Sequence, residues 1–313
     1  MKSLLTILLL AAAVHVFAQP APMARPSGLP ELDLRPVYDF LQLPANANFG
    51  STSSVAVNSK GNIIVLNRGP QPLMEFDANG KFIRAFGEGL FTRPHGLRID
   101  AEDNIWATDG GDHVVYKFNR EGRIQLVLGV KGSPGDWHPV TPLPQFAEPN
   151  DVAVAPNGDI YVTQGHGGKG EYRVLRFDKN GNALGRWGKR GSGPGEFDVP
   201  HSVAVDAAGL VYVADRGNKR VQIFDAEGKY LREWALFGTP CGLVIKDGTV
   251  WLANGHAGQI LQLDLNGKVL GITGGQGKGP GQYGEAHFMA VTARNELLIA
   301  DTLNWRVTKL VKK

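Results

Sequence analysis

Cysteine is almost absent from this sequence, since its 313 residues include only Cys241. A single thiol cannot form an internal disulfide, which excludes a small disulfide-stapled fold. The chain also lacks an excess of either charge, because 33 basic and 30 acidic side chains leave a net charge of +3. This balance indicates neither a nucleic-acid partner nor a membrane-surface partner. After the amino-terminal segment, no apolar stretch approaches the ~20 residues of a membrane-spanning helix.

The first residues have the pattern of an export signal. Lys2 precedes an apolar run at 4–14, and the small residues Val16 and Ala18 follow it. A basic start, a short apolar region and small residues at the cleavage point are typical of a secretory signal peptide. We therefore expect residues 1–18 to be removed, with an uncleaved anchor as the alternative. We expect the proline-rich residues 19–35 to form a flexible lead-in, and the protein to be periplasmic or secreted.

Glycine and proline are abundant, with 41 and 19 residues, and they separate short apolar runs that recur six times. The ends of successive runs lie 40 to 55 residues apart. Each run is followed by a polar turn and a second β-rich run, and most units then contain a third run ending in Phe-Asp-x-x-Gly or a close variant. The six first runs are 54–57, 96–99, 151–154, 202–205, 242–245 and 288–291.

Four short strands in each unit of ~40–50 residues are typical of a β-propeller blade. The six units predict an all-β, six-bladed propeller that fills residues 36–313 as a single domain, and we expect a monomer. The sixth unit has only three strands before Lys313. We expect residues 37–40 to supply the missing outer strand and to close the ring, because an open blade leaves an unpaired sheet edge.

Three histidines occupy equivalent positions on alternate units. The residues at the start of the first runs are, in order, Ser53, His95, Asn150, His201, Cys241 and His287. The first strand of a blade is the innermost, so these residues line the mouth of the central channel. Imidazoles on alternate blades can point at one spot on the axis, which predicts a metal site with three ligands and an open coordination position. Turn histidines copied by repeat duplication are the alternative.

Imidazole-only ligation favours Zn²⁺, with Fe²⁺, Cu²⁺ and Ni²⁺ as alternatives. Residues that follow the second runs emerge at the same mouth of the channel, and they include Arg68, His166 and Arg216. Because the guanidinium fork pairs well with carboxylates, we expect a small-molecule or peptide substrate that carries a carboxylate. A structural role in a blade turn is the alternative for Arg216.

The segments 214–225 and 300–307 resemble the NHL repeat signature, and glycine-rich lead-ins at 191–197 and 277–283 belong to the same repeat. The resemblance covers nearly the whole chain after its leader. It implies the propeller fold, but it does not imply a function, because the repeat occurs in enzymes and in binding scaffolds alike.

The histidines with their flanks, and the two arginines at their offsets, resemble the peptidyl-α-hydroxyglycine α-amidating lyases. In that family a six-bladed propeller holds zinc on three histidines and cleaves a peptidyl-hydroxyglycine into a peptide amide and glyoxylate. The resemblance implies that His95, His201 and His287 bind zinc. It also implies that Arg68 and Arg216 hold the substrate carboxylate.

Two positions depart from the family. The catalytic tyrosine falls at His166, and Tyr172 is the alternative if the loop between the two residues folds inward. An imidazole can accept a proton near neutral pH, but it does not carry the charge of a phenolate. Phe288 stands where the family has an aspartate that helps to bind structural Ca²⁺, so a calcium ion could rely only on backbone carbonyls at that position.

These features predict an exported, zinc-dependent carbon–nitrogen lyase of the amidating-lyase type, which acts on an α-hydroxy amide. A non-catalytic NHL propeller that binds a protein, a peptide or a glycan is the alternative. A propeller lactonase is disfavoured, because such sites use carboxylates and asparagine around Ca²⁺ rather than three histidines.

Overall fold

The computed structural model of the protein describes residues 26–137, 145–168 and 170–313. Within these residues, 24 β-strands form six four-stranded antiparallel sheets, together with a short 3-10 turn at Gly255–Ala257. The predicted all-β, six-bladed propeller is therefore confirmed. The predicted signal peptide, residues 1–18, lies outside the described residues.

The strands follow in chain order, four to a blade, after β1 at Leu34–Val37. The first two blades contain β2 (Thr52–Val57), β3 (Ile63–Asn67), β4 (Leu73–Phe76) and β5 (Phe82–Phe86), then β6 (Pro94–Ile99), β7 (Ile105–Asp109), β8 (Val114–Phe118) and β9 (Ile124–Gly129). The third and fourth contain β10 (Pro149–Val154), β11 (Ile160–Gln164), β12 (Arg173–Phe177) and β13 (Ala183–Trp187), then β14 (Pro200–Val205), β15 (Val211–Asp215), β16 (Arg220–Phe224) and β17 (Tyr230–Ala235). The last two contain β18 (Pro240–Lys246), β19 (Thr249–Asn254), β20 (Gln259–Leu263) and β21 (Val269–Gly274), then β22 (Ala286–Val291), β23 (Leu297–Asp301) and β24 (Arg306–Lys312).

The innermost strands contact one another in order around the ring, and β2 of the first blade contacts β22 of the last. The amino-terminal strand β1 completes the sixth sheet by pairing antiparallel with β24, with Leu34 opposite Lys312 and Val37 opposite Lys309. The closing strand thus begins three residues earlier than the predicted segment 37–40. Its pairing covers an edge that would otherwise be unpaired and joins the two ends of the described chain.

The predicted domain boundary at residue 36 is too late. The Leu32 amide donates to the Ile272 carbonyl at 3.0 Å, and the Ile272 amide donates to the Pro30 carbonyl at 2.9 Å. The Leu32 side chain is buried in a cluster with Trp251 and Ile260 of the fifth blade. Proline content indicated a flexible lead-in over 19–35, but the burial of Leu32 and backbone pairing against β21 include residues 30–35 in the propeller.

The Phe-Asp-x-x-Gly repeat forms the turn between the third and fourth strands. In the first blade, the Asp77 carboxylate accepts hydrogen bonds from the amides of Asn79 and Lys81 at 2.8 and 2.9 Å. Gly80 in the same turn has φ of +84°. This left-handed conformation is easily adopted only by glycine, which explains why the motif ends in that residue.

Apolar side chains pack between neighbouring blades. Ile223 of the fourth blade and Leu252 of the fifth, for example, belong to the same buried cluster. Similar clusters join the other neighbouring pairs. The axis of the ring is therefore left to the side chains of the inner strands, where the predicted site lies. In the part of the chain that the structure describes, no helix has the length and apolar character needed to cross a membrane.

Candidate metal centre

Each of the three predicted ligands lies at an irregularity in strand pairing. The register between the first and second strands of the blade shifts at His95, at His201 and at His287. A β-bulge redirects a side chain away from the regular alternation of its strand. Here the bulges accompany the turning of three imidazoles from three different blades toward one another.

The three rings form a nearly equilateral triangle. Their centroids are 4.7 Å apart for His95 and His201, 4.8 Å for His95 and His287, and 4.8 Å for His201 and His287. All three side chains are buried, at 2% exposure or less. The structure thus brings together three residues that lie about a hundred positions apart along the chain.

The Nδ1 atom of each ring contacts a backbone carbonyl of the next blade. The pairs are His95 with Asn150 at 2.8 Å, His201 with Cys241 at 2.9 Å, and His287 with Ser53 at 2.7 Å. A carbonyl oxygen can only accept, so each Nδ1 carries the proton and each Nε2 carries the lone pair. The accepting residues occupy, on the other three blades, the positions equivalent to the histidines.

This arrangement fits a bound metal ion. The Nε2 atoms of His95 and His201 are buried and have no hydrogen-bond partner among the described residues. A buried acceptor without a partner is costly, unless a ligand pairs with it. Histidines that bind metals typically donate their other ring nitrogen to a carbonyl or carboxylate, which fixes the tautomer as seen here.

Burial also keeps the cluster uncharged. It lowers the pKa of His95 and of His201 well below the ordinary value, and it lowers the pKa of His287 to about 4. Neutral imidazole is the form that binds metals. The cluster is therefore ready to bind a cation at neutral pH without first releasing protons.

A fourth imidazole, His166, lies beside the triangle, with its ring centroid 5.1 Å from that of His95 and 5.5 Å from that of His201. By distance between ligand atoms, the group that forms among the described residues is His95, His166 and His201, all within 4.8 Å of one another, and it does not include His287. However, the Nε2 atom of His166 lies 3.3 Å from the guanidinium of Arg216. Arginine only donates, so this lone pair is already engaged. Hydrogen bonding therefore favours His95, His201 and His287 as the ligands.

Glu148 holds the loop that carries His166. Its carboxylate accepts hydrogen bonds from the amides of His166, at 3.3 Å, and of Gly167, and it forms an ion pair with Arg93 at 3.0 Å. Gly165 adopts φ of +101°, and a Cβ there would lie 2.0 Å from the Tyr172 ring, so only glycine fits. Burial, followed by the charge of Arg216, lowers the pKa of His166 to about 3.

The two predicted arginines approach the cluster from different blades. The Nε of Arg68 donates to the carbonyl of Pro94, directly before His95, at 3.3 Å. Arg216 contacts His166 and also the thiol of Cys241, whose pKa burial raises to about 12. That thiol therefore stays protonated near neutral pH. Two guanidinium charges beside neutral imidazoles give the site a positive potential that attracts anions.

Tyr172 lies apart from the cluster. Its side chain is 2% exposed and belongs to the apolar core between the third and fourth blades, together with Val174 and Phe197. The guanidinium of Arg190 lies over its ring at 5.2 Å. For Tyr172 to take the place of the family tyrosine, its loop would have to turn the ring toward the histidines. Instead the ring packs against Gly165. Tyr172 is therefore not retained as a proton-transfer residue.

Three aspartates that hold the histidine-bearing backbone were not recognised from the sequence as positioning residues. Asp109, Asp215 and Asp301 end the second strands of the histidine-bearing blades, and each lies fourteen residues after its histidine. Their buried carboxylates accept backbone amides of residues 92–93, 198 and 284–285, just before the histidines. The other three blades have Asn or Gln at this position. The recurrent His-to-Asp spacing is the signal that could have revealed them.

Glu285 was also missed. It lies two residues before His287, its side chain is 11% exposed, and its Oε1 is 3.7 Å from Nδ1 of His256. Its negative charge acts on Arg68, on Cys241 and on His287. The site therefore contains a carboxylate, that of Glu285, which no repeat signature indicated.

Comparison with known proteins supports the repeat and the lyase resemblance. Residues 197–224 match the NHL repeat, so the chain contains that repeat in its fourth blade. NHL repeat-containing protein 3 of Mus musculus is 37% identical over 204 residues, which cover 61% of this chain and 57% of that protein. The probable peptidyl-alpha-hydroxyglycine alpha-amidating lyase pgal-1 of Caenorhabditis elegans is 35% identical over 204 residues, covering 56% of each chain. Peptidyl-alpha-hydroxyglycine alpha-amidating lyase 1 of Drosophila melanogaster is 27% identical, over 88% of this chain and 60% of its own length.

The chain thus spans somewhat more than half the length of these relatives. Solved structures share the fold at low identity. A gluconolactonase from Xanthomonas campestris matches with a TM-score of 0.64 at 17% identity, over 84% of this chain and 86% of its own. A streptogramin B lyase matches with a TM-score of 0.63 at 15% identity, over 90% of this chain and 97% of its own. At such identities the likeness concerns the propeller alone.

Replacing His95 and His201 together by alanine should abolish metal binding, because both buried Nε2 atoms that lack a partner are lost. The matched control is His256→Ala, which removes an exposed imidazole outside the triangle. Elemental analysis of the purified proteins is the measurement. We expect about one metal ion per chain in the parent and in His256→Ala, and none in the double variant. Metal retained by the double variant would refute this ligand set.

The metal-free protein should lose stability as the pH falls from about 6.5 toward 4. The folded-state pKa of His287, about 4, lies below the ordinary value of 6.5, so the unfolded chain binds more protons in this window. The free energy of unfolding therefore rises with pH across the window and levels off above it. Chemical denaturation at several pH values measures this, and His287→Asn should reduce the slope. An equal slope in that variant would contradict the account.

Proposed function

We propose that this protein is a metal-dependent carbon–nitrogen lyase that cleaves an α-hydroxy amide bearing a carboxylate into an amide and glyoxylate, or a related 2-oxo acid. The observation that carries the proposal is the triangle of neutral imidazoles, each with its Nδ1 on a carbonyl, beside two guanidiniums. The similarity to named amidating lyases supports the lyase class.

The reaction needs no oxidant and conserves its protons. The hydroxyl group loses a proton, an electron pair of its oxygen forms the new carbonyl, and the bond between carbon and nitrogen breaks. The electron pair of that bond stays on nitrogen, which takes up a proton. The protein must therefore acidify a hydroxyl group, hold a carboxylate and move one proton.

His95, His201 and His287 would hold the metal through their Nε2 atoms, and a bound Zn²⁺ supplies a Lewis acid that lowers the pKa of a hydroxyl group. Their Nδ1–H bonds to backbone carbonyls keep the three rings oriented. The aspartates at the ends of the second strands hold the backbone before each ring. We infer no structural Ca²⁺ in the active protein, because the side chain of Phe288 offers no oxygen ligand.

Arg68 and Arg216 bind the substrate carboxylate. In the free protein Arg216 donates to His166 at 3.3 Å, and a carboxylate is a stronger acceptor for a guanidinium than an imidazole is. Substrate binding therefore releases the Nε2 lone pair of His166. The bound anion also offsets the positive charges that lower the pKa of His166. His166 then accepts the hydroxyl proton and returns it to the leaving nitrogen.

We further propose that the enzyme acts outside the cytoplasm, in the periplasm or as a secreted protein, and as a monomer. The export signal at residues 1–18 supports this location. The substrate is then a small molecule or a peptide that reaches the protein in that compartment.

A second candidate function is the non-catalytic binding of a partner. The chain is 37% identical to NHL repeat-containing protein 3, whose name specifies no reaction, so sequence similarity does not by itself select a lyase. Leu303 and Trp305 in a loop of the sixth blade are also 61% and 59% exposed, as a docking surface would require. A metal-free protein that binds a partner through this loop would favour the second candidate over the first.

Zinc-loaded protein should release glyoxylate from an N-acyl-α-hydroxyglycine, as measured by a coupled assay for glyoxylate. Arg216→Met should lower kcat/KM by about 10- to 100-fold, since a charge-assisted hydrogen bond to the carboxylate is lost. Its metal content should remain that of the parent. The matched control is Arg84→Met, which removes a guanidinium paired with Glu75 on the outer part of the first blade.

His166→Ala should lower kcat more than it raises KM, again with metal retained, because the proposed role is proton transfer rather than binding. A zinc-loaded protein that produces no glyoxylate from this substrate class would refute the proposed activity. An Arg216→Met variant with unchanged kcat/KM would refute the proposal that Arg216 binds the substrate carboxylate.

A further inference from the structure

Arg98 lies in the central channel, on the same strand as His95. It lies on β6, three residues after His95, and its side chain is 17% exposed. Its Nη2 donates to the hydroxyl of Ser202 at 3.0 Å and to the carbonyl of Leu243 at 3.1 Å. Since Leu243 belongs to the fifth blade, the guanidinium of the second blade reaches across the ring to the opposite side.

The same guanidinium forms a two-pronged ion pair with Asp151 of the third blade, through Nη2 and through Nε at 3.1 Å. The Asp151 carboxylate is fully buried. It also accepts hydrogen bonds from the Ser202 hydroxyl at 2.7 Å and from the amides of Val152 and Val203 at 2.9 and 3.1 Å. The charge pair is thus well satisfied, which a buried ion pair requires.

Every contact of Arg98 lies next to part of the metal centre. Asp151 follows Asn150, whose carbonyl accepts from His95, and Ser202 follows His201. Leu243 lies two residues after Cys241, whose carbonyl accepts from His201. The ring of Phe288, which follows His287, lies 5.5 Å from the guanidinium carbon. One side chain is therefore connected to the backbone that carries or supports all three ligands.

Calcium does not fit this channel. The resemblance to amidating lyases implies a Ca²⁺ ligand at position 288, and here a phenyl ring stands there with a guanidinium against its face. A phenyl ring offers no oxygen, and the guanidinium of Arg98 already donates to the Asp151 carboxylate and the Leu243 carbonyl, which are the kind of oxygen ligand that Ca²⁺ requires.

We propose that Arg98 is a positioning residue for the metal centre and serves as a built-in cation of the channel, so that the protein needs no structural calcium. The part of the inference that concerns metal affinity rests on the proposed function. The hydrogen-bonding role of Arg98 is independent of it. Residues that orient metal ligands in this indirect way typically alter metal affinity by about 10- to 100-fold when replaced.

The test uses a double substitution, Arg98→Met with Asp151→Asn, because Arg98→Met alone leaves a buried carboxylate without its partner. The matched control is Arg176→Met with Asp159→Asn. That pair uses the same two guanidinium nitrogens, with Nε and Nη2 of Arg176 at 2.9 and 2.7 Å from one carboxylate oxygen of Asp159, and its side chains are 20% and 12% exposed. It lies on the third strand of the third blade, away from the channel.

Co²⁺ binding, followed by visible absorption, measures the metal centre in each variant. We expect the channel variant to bind Co²⁺ about 10- to 100-fold more weakly with an altered spectrum, and the control to match the parent. Arg98→Lys should recover part of the affinity, since it restores the charge but not the forked geometry. Equal affinity and spectra in all variants would overturn the positioning role.

Two further readouts separate this inference from the proposed function. In the metal-free parent, ¹⁵N spectra of the imidazoles should show His95 and His201 protonated at Nδ1. In the metal-free channel variant, the same spectra should show mixed tautomers. A parent that binds no Co²⁺ would refute the proposed function, while unchanged tautomers would refute the role of Arg98. Added Ca²⁺ should leave the unfolding temperature of the parent unchanged. A rise in that temperature would refute the proposal that Arg98 makes a structural calcium ion unnecessary.

Discussion

The hydrogen bond from each histidine Nδ1 to a carbonyl of the next blade is the interaction on which the site depends. It fixes the tautomer, leaves Nε2 free for a metal and connects blades two with three, four with five, and six with one. The last of these bonds joins His287 to Ser53, near opposite ends of the chain. It therefore requires a closed ring, which the pairing of β1 with β24 provides. Closure of the fold and completion of the site are consequences of the same geometry.

Much of this organisation could be predicted from the sequence, because a propeller repeats its local chemistry. The period of the apolar runs predicts the blades, and the position before each first run places the three histidines on alternate blades. Tyr172 could not be excluded in the same way, because its burial depends on how a loop packs against Gly165. The boundary at residue 36 was wrong because Leu32 pairs and packs against a blade that lies far away in sequence. Arg98 gave no signal, since its partners come from four other blades.

Similarity to known proteins establishes the NHL repeat and the propeller fold, but it does not establish the reaction. The sequence relatives include named amidating lyases and NHL repeat-containing protein 3, and the solved structures share only the propeller. Any catalytic activity therefore has to be inferred from the chemistry of the site residues. The imidazoles are neutral and oriented as the proposed metal requires, Arg68 and Arg216 are the proposed partners of a carboxylate, and Glu148 holds His166 where it meets Arg216. Glu285 adds a negative charge that should restrict which substrates the two arginines accept.

X-ray absorption at the zinc edge of the purified protein tests the central claim most directly, because it reports the atoms bound to the metal. The account predicts about three imidazole nitrogens at ~2.0–2.1 Å, with one further light atom and no sulfur. Cys241 is the one thiol of the chain, and its raised pKa keeps it protonated. A sulfur neighbour near ~2.3 Å, or a protein that holds no metal in stoichiometric amount, would contradict the account.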